Sequence, residues 1–83
     1  MTASEIREPL RTFIRDELIR NRDFVIADDE PLITGGIIDS FSLAEIAVFI
    51  EQTFNVYLPD IDLTVENMDT LNQMVARVVR ELG

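Results

Sequence analysis

A serine hydroxyl stands beside a carboxylate at Asp39-Ser40, within the stretch Gly35-Gly36-Ile37-Ile38-Asp39-Ser40-Phe41-Ser42-Leu43. A glycine pair and two isoleucines precede it, and a long amphipathic pattern follows. This puts Ser40 at the mouth of a helix, where backbone N–H groups point outward and favour an anion. Any chemistry in this chain is therefore expected to be attached to Ser40. A serine nucleophile needs a general base, and the sequence contains neither histidine nor lysine. Asp39 is adjacent, but a carboxylate of ordinary pKa is a feeble base for a hydroxyl. Two readings follow: Ser40 caps the helix, or it is the substrate of another enzyme.

Other chemistries are excluded more sharply. Cysteine is absent along with histidine, which removes disulfides, a protein thiol, the usual zinc sites, Cys–His catalysis and the ordinary Ser–His–Asp arrangement. The run Asp60-Ile61-Asp62-Leu63-Thr64-Val65-Glu66 places oxygen ligands at alternate positions, as a calcium loop does. Counted from Asp60, however, the sixth position is Val65 rather than glycine and the twelfth is Leu71 rather than glutamate. A solvated acidic linker is the better reading, and no metal site is assigned.

The elements that must position Ser40 are helical. Residues 4–20 carry Ile6, Leu10, Phe13, Ile14 and Leu18 on one stripe, with Thr2 and Glu5 spaced as a capping box and Ser4 as an alternative cap. Pro9 predicts an irregular first turn. Asn21 to Asp39 has no sustained period. It reads as a long loop pinned across the core by Phe24, Val25, Leu32, Ile33, Ile37 and Ile38. Ser40 to Asn55 is the strongest helix, with Leu43, Ile46, Ala47, Ile50 and Phe54 within about 60° of one another on a helical wheel. Val56 to Asn67 is a second linker. Tyr57, Leu58, Ile61, Leu63 and Val65 are able to pack inward there, and a short helical turn falls around residues 64–67. Asp69 or Thr70 then caps a last helix to about Leu82, with Leu71, Met74, Val75, Val78 and Leu82 as its stripe. No segment reads as a strand.

Charge adds a surface. Sixteen acids face seven arginines for a net charge of −9, and eleven acids but no base lie between Asp23 and Ala76. Such a surface repels nucleic acid and anionic membranes and steers basic protein partners toward it. On the outward face of the Ser40–Asn55 helix, Phe41 and Val48 stand among carboxylates, which points to a docking face. The chain is expected to be one domain, residues 1–83. No run is apolar enough to span a membrane and no signal pattern opens the chain, so a cytoplasmic location is expected.

Several stretches together resemble the acyl carrier protein family. They are Gly36-Ile37-Ile38-Asp39-Ser40-Phe41-Ser42-Leu43, then Glu45 and Ile46, then Phe49-Ile50-Glu51-Gln52-Thr53-Phe54, then Leu58-Pro59-Asp60. In that family an Asp-Ser-Leu motif opens the second helix, a Leu-Glu-x-x-Phe pattern ends it and an Ile-Pro-Asp turn follows. The resemblance covers essentially the whole chain. It implies an all-α, four-helix carrier bundle with three longer helices, a short third helix and a long loop between helices one and two. It also implies that Ser40 accepts 4′-phosphopantetheine from coenzyme A through a separate phosphopantetheinyl transferase, with Asp39 helping to position magnesium. Acyl or aminoacyl groups would then ride as thioesters on a protein that is not itself an enzyme. Partners would be the loading enzyme and downstream synthases or transferases, docking a monomer through Phe41, Ala44, Glu45, Val48 and Glu51. Phe41 stands where leucine is commoner, and Ser42 and Gln52 replace acids often seen on the docking face. The stretches Ile37-Ile38-Asp39-Ser40 and Glu66-Asn67-Met68-Asp69-Thr70 are similar to D-alanyl carriers and to discrete polyketide or nonribosomal-peptide carriers. A specialised pathway is therefore expected over housekeeping fatty-acid synthesis. The alternative from another class is a small acidic adaptor that binds a basic partner and uses Ser40 only as a helix cap.

Overall fold

The first helix begins where its capping box requires. Thr2 Oγ1 accepts the Glu5 N–H at 3.2 Å and the Thr2 N–H donates to the Glu5 carboxylate at 2.9 Å, which satisfies two donors that a helix start leaves free. In the computed structural model, which describes residues 1–83, helix α1 runs Ala3–Phe13 and continues as a π-helix over Ile14–Ile19. The irregularity predicted for the first turn therefore falls one to two turns beyond Pro9. The capping box holds the first turn, and Pro9 lies on the exposed side of the helix, away from the core. The wider π winding has its own rationale. With Ile14 fully buried, it lets Leu18 and Ile19, four and five residues on, both pack against the core. The segment stops at Arg20, which adopts the left-handed conformation (φ 61°).

Helix α2 runs Ser42–Phe54, α3 is the short Val65–Met68 and α4 is Leu71–Leu82, with a single 3₁₀ turn at Asp60–Asp62. The architecture is all-helical, without strands, and α1 packs mainly on α4 and secondarily on α2. One core joins all the pieces. Its side chains are Ile6, Leu10 and Ile14 from α1, Leu43, Ile46, Ile50 and Phe54 from α2, Met68 from α3, and Leu71, Met74, Val75 and Val78 from α4. Ile26, Leu32 and Ile38 of the long loop are buried in the same core, as are Val56 and Leu58 of the second linker. Phe49 stacks on Phe13 at 4.3 Å between ring centroids and meets Phe54 edge-on at 6.1 Å, tying α2 to the end of α1.

Several expected anchors face water instead. Val25 is 84% exposed and the neighbouring Ile26 takes its place in the core, a one-residue slip that a loop without a period does not specify. Tyr57 is exposed because the extended linker alternates its faces between buried Val56 and Leu58. Ile61 lies exposed in the 3₁₀ turn, and Leu82 is 44% exposed because α4 outruns the core at its last turn. Thr70, not Asp69, caps α4. Thr70 Oγ1 accepts the Gln73 N–H at 3.1 Å and Gln73 Oε1 accepts the Thr70 N–H at 3.0 Å.

Candidate functional site

The approach to Ser40 is built by its loop. Leu32 is fully buried, and its carbonyl accepts the N–H groups of both Ile37 and Ile38 at 2.9 Å. The intervening turn needs its glycines. A Cβ on Gly35 would lie 2.2 Å from the Pro31 carbonyl oxygen, and Gly36 has φ +76°. Arg11 secures the start of the loop through the Ile26 carbonyl and through a 2.6 Å ion pair with Asp28. The chain thus reaches Asp39 from a fixed direction, with Ile38 buried just before it.

At Asp39 the backbone turns into α2 through three successive i→i+3 bonds, which the N–H groups of Ser42, Leu43 and Ala44 donate to the carbonyls of Asp39, Ser40 and Phe41. Asp39 Oδ1 accepts the Ser42 N–H at 3.1 Å and the Ser42 hydroxyl at 3.3 Å. The Asp39 carboxylate therefore caps the lead-in turn of this helix, while the N-cap position of the regular helix, Phe41, has no side-chain cap, and the reading of Ser40 as the cap is overturned. The regular helix begins at Ser42 rather than Ser40 because the lead-in turn is wound more tightly. Ser40 sits in that turn, exposed, and its hydroxyl makes no hydrogen bond within the chain. The backbone N–H groups of Ser40 and Phe41 likewise have no partner in the chain, so the helix start keeps free donors beside the hydroxyl. Asp39 Oδ2 is also free of protein partners.

Around Ser40 is an open hollow of about 540 Å³, floored by Leu18, Ile33, Ile37 and Ile38 and edged by Asp39, Ser40 and Ser42. Leu18 also lines a groove of about 480 Å³ between α1 and α2, whose walls are Phe13, Ala44, Val48 and Phe49 with Glu17, Arg20, Glu45 and Gln52 at the rim. On the other side of α2 a smaller cavity of about 180 Å³ lies against Ala47, Leu58 and Leu63.

The predicted docking residues do share a face. Phe41, Ala44, Glu45, Val48 and Glu51 are all exposed, with Phe41 at 86% and Val48 at 52%. Phe49 of the same helix is half-buried against Phe13. The ion pairs of the chain lie elsewhere: Arg7 and Arg11 with Asp28, Arg11 with Glu8, Arg15 with Asp16, and Arg77 with Asp62 and Glu81. Glu45 and Glu51 have no cationic partner in the fold. Asp62, one of the alternating oxygens of the calcium-like run, is held by Arg77, and no group of three metal-ligating side chains forms anywhere in the chain.

One residue of this region was not legible beforehand. Asp69, read as an alternative cap for α4, instead reaches across to the loop. Its Oδ1 accepts the N–H groups of Ile33 at 2.8 Å and Thr34 at 3.0 Å, and its Oδ2 accepts the Thr34 hydroxyl at 2.6 Å. The partial burial of Asp69 opposes ionisation, but the hydrogen bonds from Thr34 and Ile33 outweigh it and hold the carboxyl below its ordinary pKa. The available sequence signal was that Asp69 and Thr70 are adjacent and only one can cap. Comparison with protein-family models finds no match for this chain, and comparison with curated proteins finds none either.

Proposed function

We propose that the protein is a carrier whose Ser40 is modified with 4′-phosphopantetheine and which carries acyl or aminoacyl intermediates for other enzymes. The single observation that supports this most is the separation of roles at the helix start: Asp39 caps, and the neighbouring Ser40 hydroxyl is exposed and unengaged. A serine that held the helix would resist modification. This one loses no intramolecular bond when its oxygen becomes an ester.

The transfer is balanced as a phosphoryl-group substitution catalysed by a separate transferase. Ser40 Oγ forms a bond to the pantetheine-bearing phosphorus of coenzyme A, the pyrophosphate P–O bond breaks, and the adenosine bisphosphate half leaves. The hydroxyl proton passes to a base on the transferase, since this chain has no histidine or lysine to take it. The residues present suit the product. A phosphodiester on Ser40 would sit beside the free N–H groups of Ser40 and Phe41 at the positive end of α2. Asp39 Oδ2 has no protein partner and would contribute one oxygen toward magnesium during transfer. The arm supplies a thiol, the only one on a cysteine-free chain, and with it thioester chemistry.

Partner enzymes with basic surfaces would dock on Phe41, Ala44, Glu45, Val48 and Glu51, where apolar side chains stand among unpaired carboxylates. The departures at Phe41, Ser42 and Gln52 favour a discrete carrier of a specialised polyketide or nonribosomal-peptide type of pathway. The test is the intact mass of the protein isolated from cells that also express a broad-range transferase. The expected result is one phosphopantetheine increment on the wild type and none on Ser40→Ala. A wild-type mass that stays at the sequence value overturns the proposal.

A further inference from the structure

Asp69 is 29 residues from Ser40 in sequence, yet a set of hydrogen bonds links it to Ile38 and Ile37, two and three residues before Ser40. Its carboxylate takes the N–H groups of Ile33 and Thr34 and the Thr34 hydroxyl, and its own carbonyl accepts the Leu32 N–H at 2.8 Å. The Leu32 carbonyl in turn accepts Ile37 and Ile38, the two residues leading into Asp39-Ser40. Asp69 is itself held, since its N–H donates to Gln73 Oε1 at 2.9 Å and the Gln73 amide donates to the Glu66 carbonyl at 3.0 Å. A second bond, from the Asn72 N–H to the Asp28 carbonyl at 2.9 Å, ties the same end of α4 to the loop further upstream.

We infer that Asp69 is a positioning residue for Ser40: it clamps residues 32–34 to the start of α4, and through Leu32 it fixes the direction from which the chain enters α2. This rests on the carrier reading, because the property being positioned is the modifiable hydroxyl. Two features make the clamp more than general packing. Three of its bonds are made by one side chain to one dipeptide, and they lie on the polar side of a loop whose apolar anchors, Leu32 and Ile38, are already buried in the core. Removing the carboxylate therefore leaves the core contacts and the backbone bond from the Leu32 N–H to the Asp69 carbonyl in place, and frees residues 33 and 34, where the turn back to Ile37 and Ile38 begins. Misplacing a reacting group by a small distance is enough to cost a large factor in rate.

The test uses the full chain with Asp69→Ala, Asp69→Asn and Thr34→Val, and reads two quantities. The first is amide hydrogen exchange. In Asp69→Ala, exchange is expected to quicken at Ile33, Thr34, Ile37 and Ile38 and to stay at wild-type rates at Met74, Val75 and Val78 of α4. The second is the rate of phosphopantetheine transfer to Ser40 from coenzyme A with magnesium and a broad-range transferase. It is expected to fall by about tenfold in Asp69→Ala. Asp69→Asn, whose amide oxygen is still able to accept the two N–H groups, is expected to recover most of the rate, and Thr34→Val to lie between. Faster exchange everywhere in Asp69→Ala, or transfer at the wild-type rate in that variant, overturns the inference. Wild-type protein that accepts no phosphopantetheine overturns the carrier reading instead. The positioning claim falls with it, and the exchange pattern still reports whether the clamp orders the loop.

Discussion

Asp39 Oδ1 accepts both the backbone N–H and the hydroxyl of Ser42, at 3.1 and 3.3 Å, and so takes over the capping of α2 that Ser40 would otherwise perform. The consequence is a division of labour between adjacent residues. One stabilises the helix start, and the other presents a free hydroxyl on it.

This division gives unequal mutational costs. Asp39→Ala should destabilise the protein by about 1 kcal/mol, the usual cost of losing a cap. Ser40→Ala should stay within about 0.5 kcal/mol of wild type, as expected for an exposed side chain with no intramolecular bond. Urea unfolding of the two variants checks the order, and a larger loss for Ser40→Ala would return the capping role to the serine.

The outward face of α2 should matter for partners and not for folding. Phe41→Ala and Val48→Ala are expected to leave the melting temperature within error, because both side chains are more than half exposed. On the carrier reading each should slow turnover with a partner enzyme by about fivefold or more, the range of a central interface contact. Charge reversal at Glu45 or Glu51 should slow association, with the deficit shrinking as salt is raised. A partner indifferent to all four changes would place docking elsewhere.

The long loop should behave as part of the core. Ile26→Ala and Leu32→Ala are expected to cost about 2–5 kcal/mol each, while Val25→Ala costs almost nothing. Chemical denaturation of the three variants separates a pinned loop from a loose one, since a loose loop would show three small effects.

Acid should release the Asp69 clamp. The folded carboxyl titrates below its ordinary value, so its contribution is fully present above the unfolded pKa of about 3.9. That contribution is lost as pH falls through the depressed folded value. The stability gap between wild type and Asp69→Asn should therefore be constant from neutral pH down to about 5 and should close below about 4. Thermal melts of the pair across that range check the sign, and a gap that widened in acid would contradict it. Asp28 and Asp16, held low by hydrogen bonds from Arg11 and Arg15, add losses in the same direction to both proteins and cancel in the difference.

The helices were legible in sequence because each needs a stripe to bury. Ile6, Leu10 and Ile14, then Leu43, Ile46, Ile50 and Phe54, then Leu71, Met74, Val75 and Val78 lie where their spacing puts them. The long loop was legible as a loop, and so was its attachment to the core at Leu32 and Ile38. Three features were not. The π winding of Ile14–Ile19 depends on what Leu18 and Ile19 meet in the folded core, which local periodicity does not encode. The choice of Ile26 over Val25 is made in the folded core, where Ile26 is buried and Val25 is not, and nothing in the local pattern of the loop distinguishes the two. At the site itself, Ser40 stood out from its residue type and position. Its freedom from capping depended on which of two adjacent side chains would turn back to Ser42, and the Asp69 clamp spans 36 residues.

The central claim is that Ser40 is an attachment point, and the mass of the purified protein after incubation with coenzyme A, magnesium and a broad-range phosphopantetheinyl transferase tests it most directly. The predicted result is complete conversion to a species heavier by one phosphopantetheine, with fragmentation locating the group on Ser40 rather than on Ser42 or Thr34. An unchanged mass under conditions that fully convert a control carrier, or a group located on another residue, would contradict it.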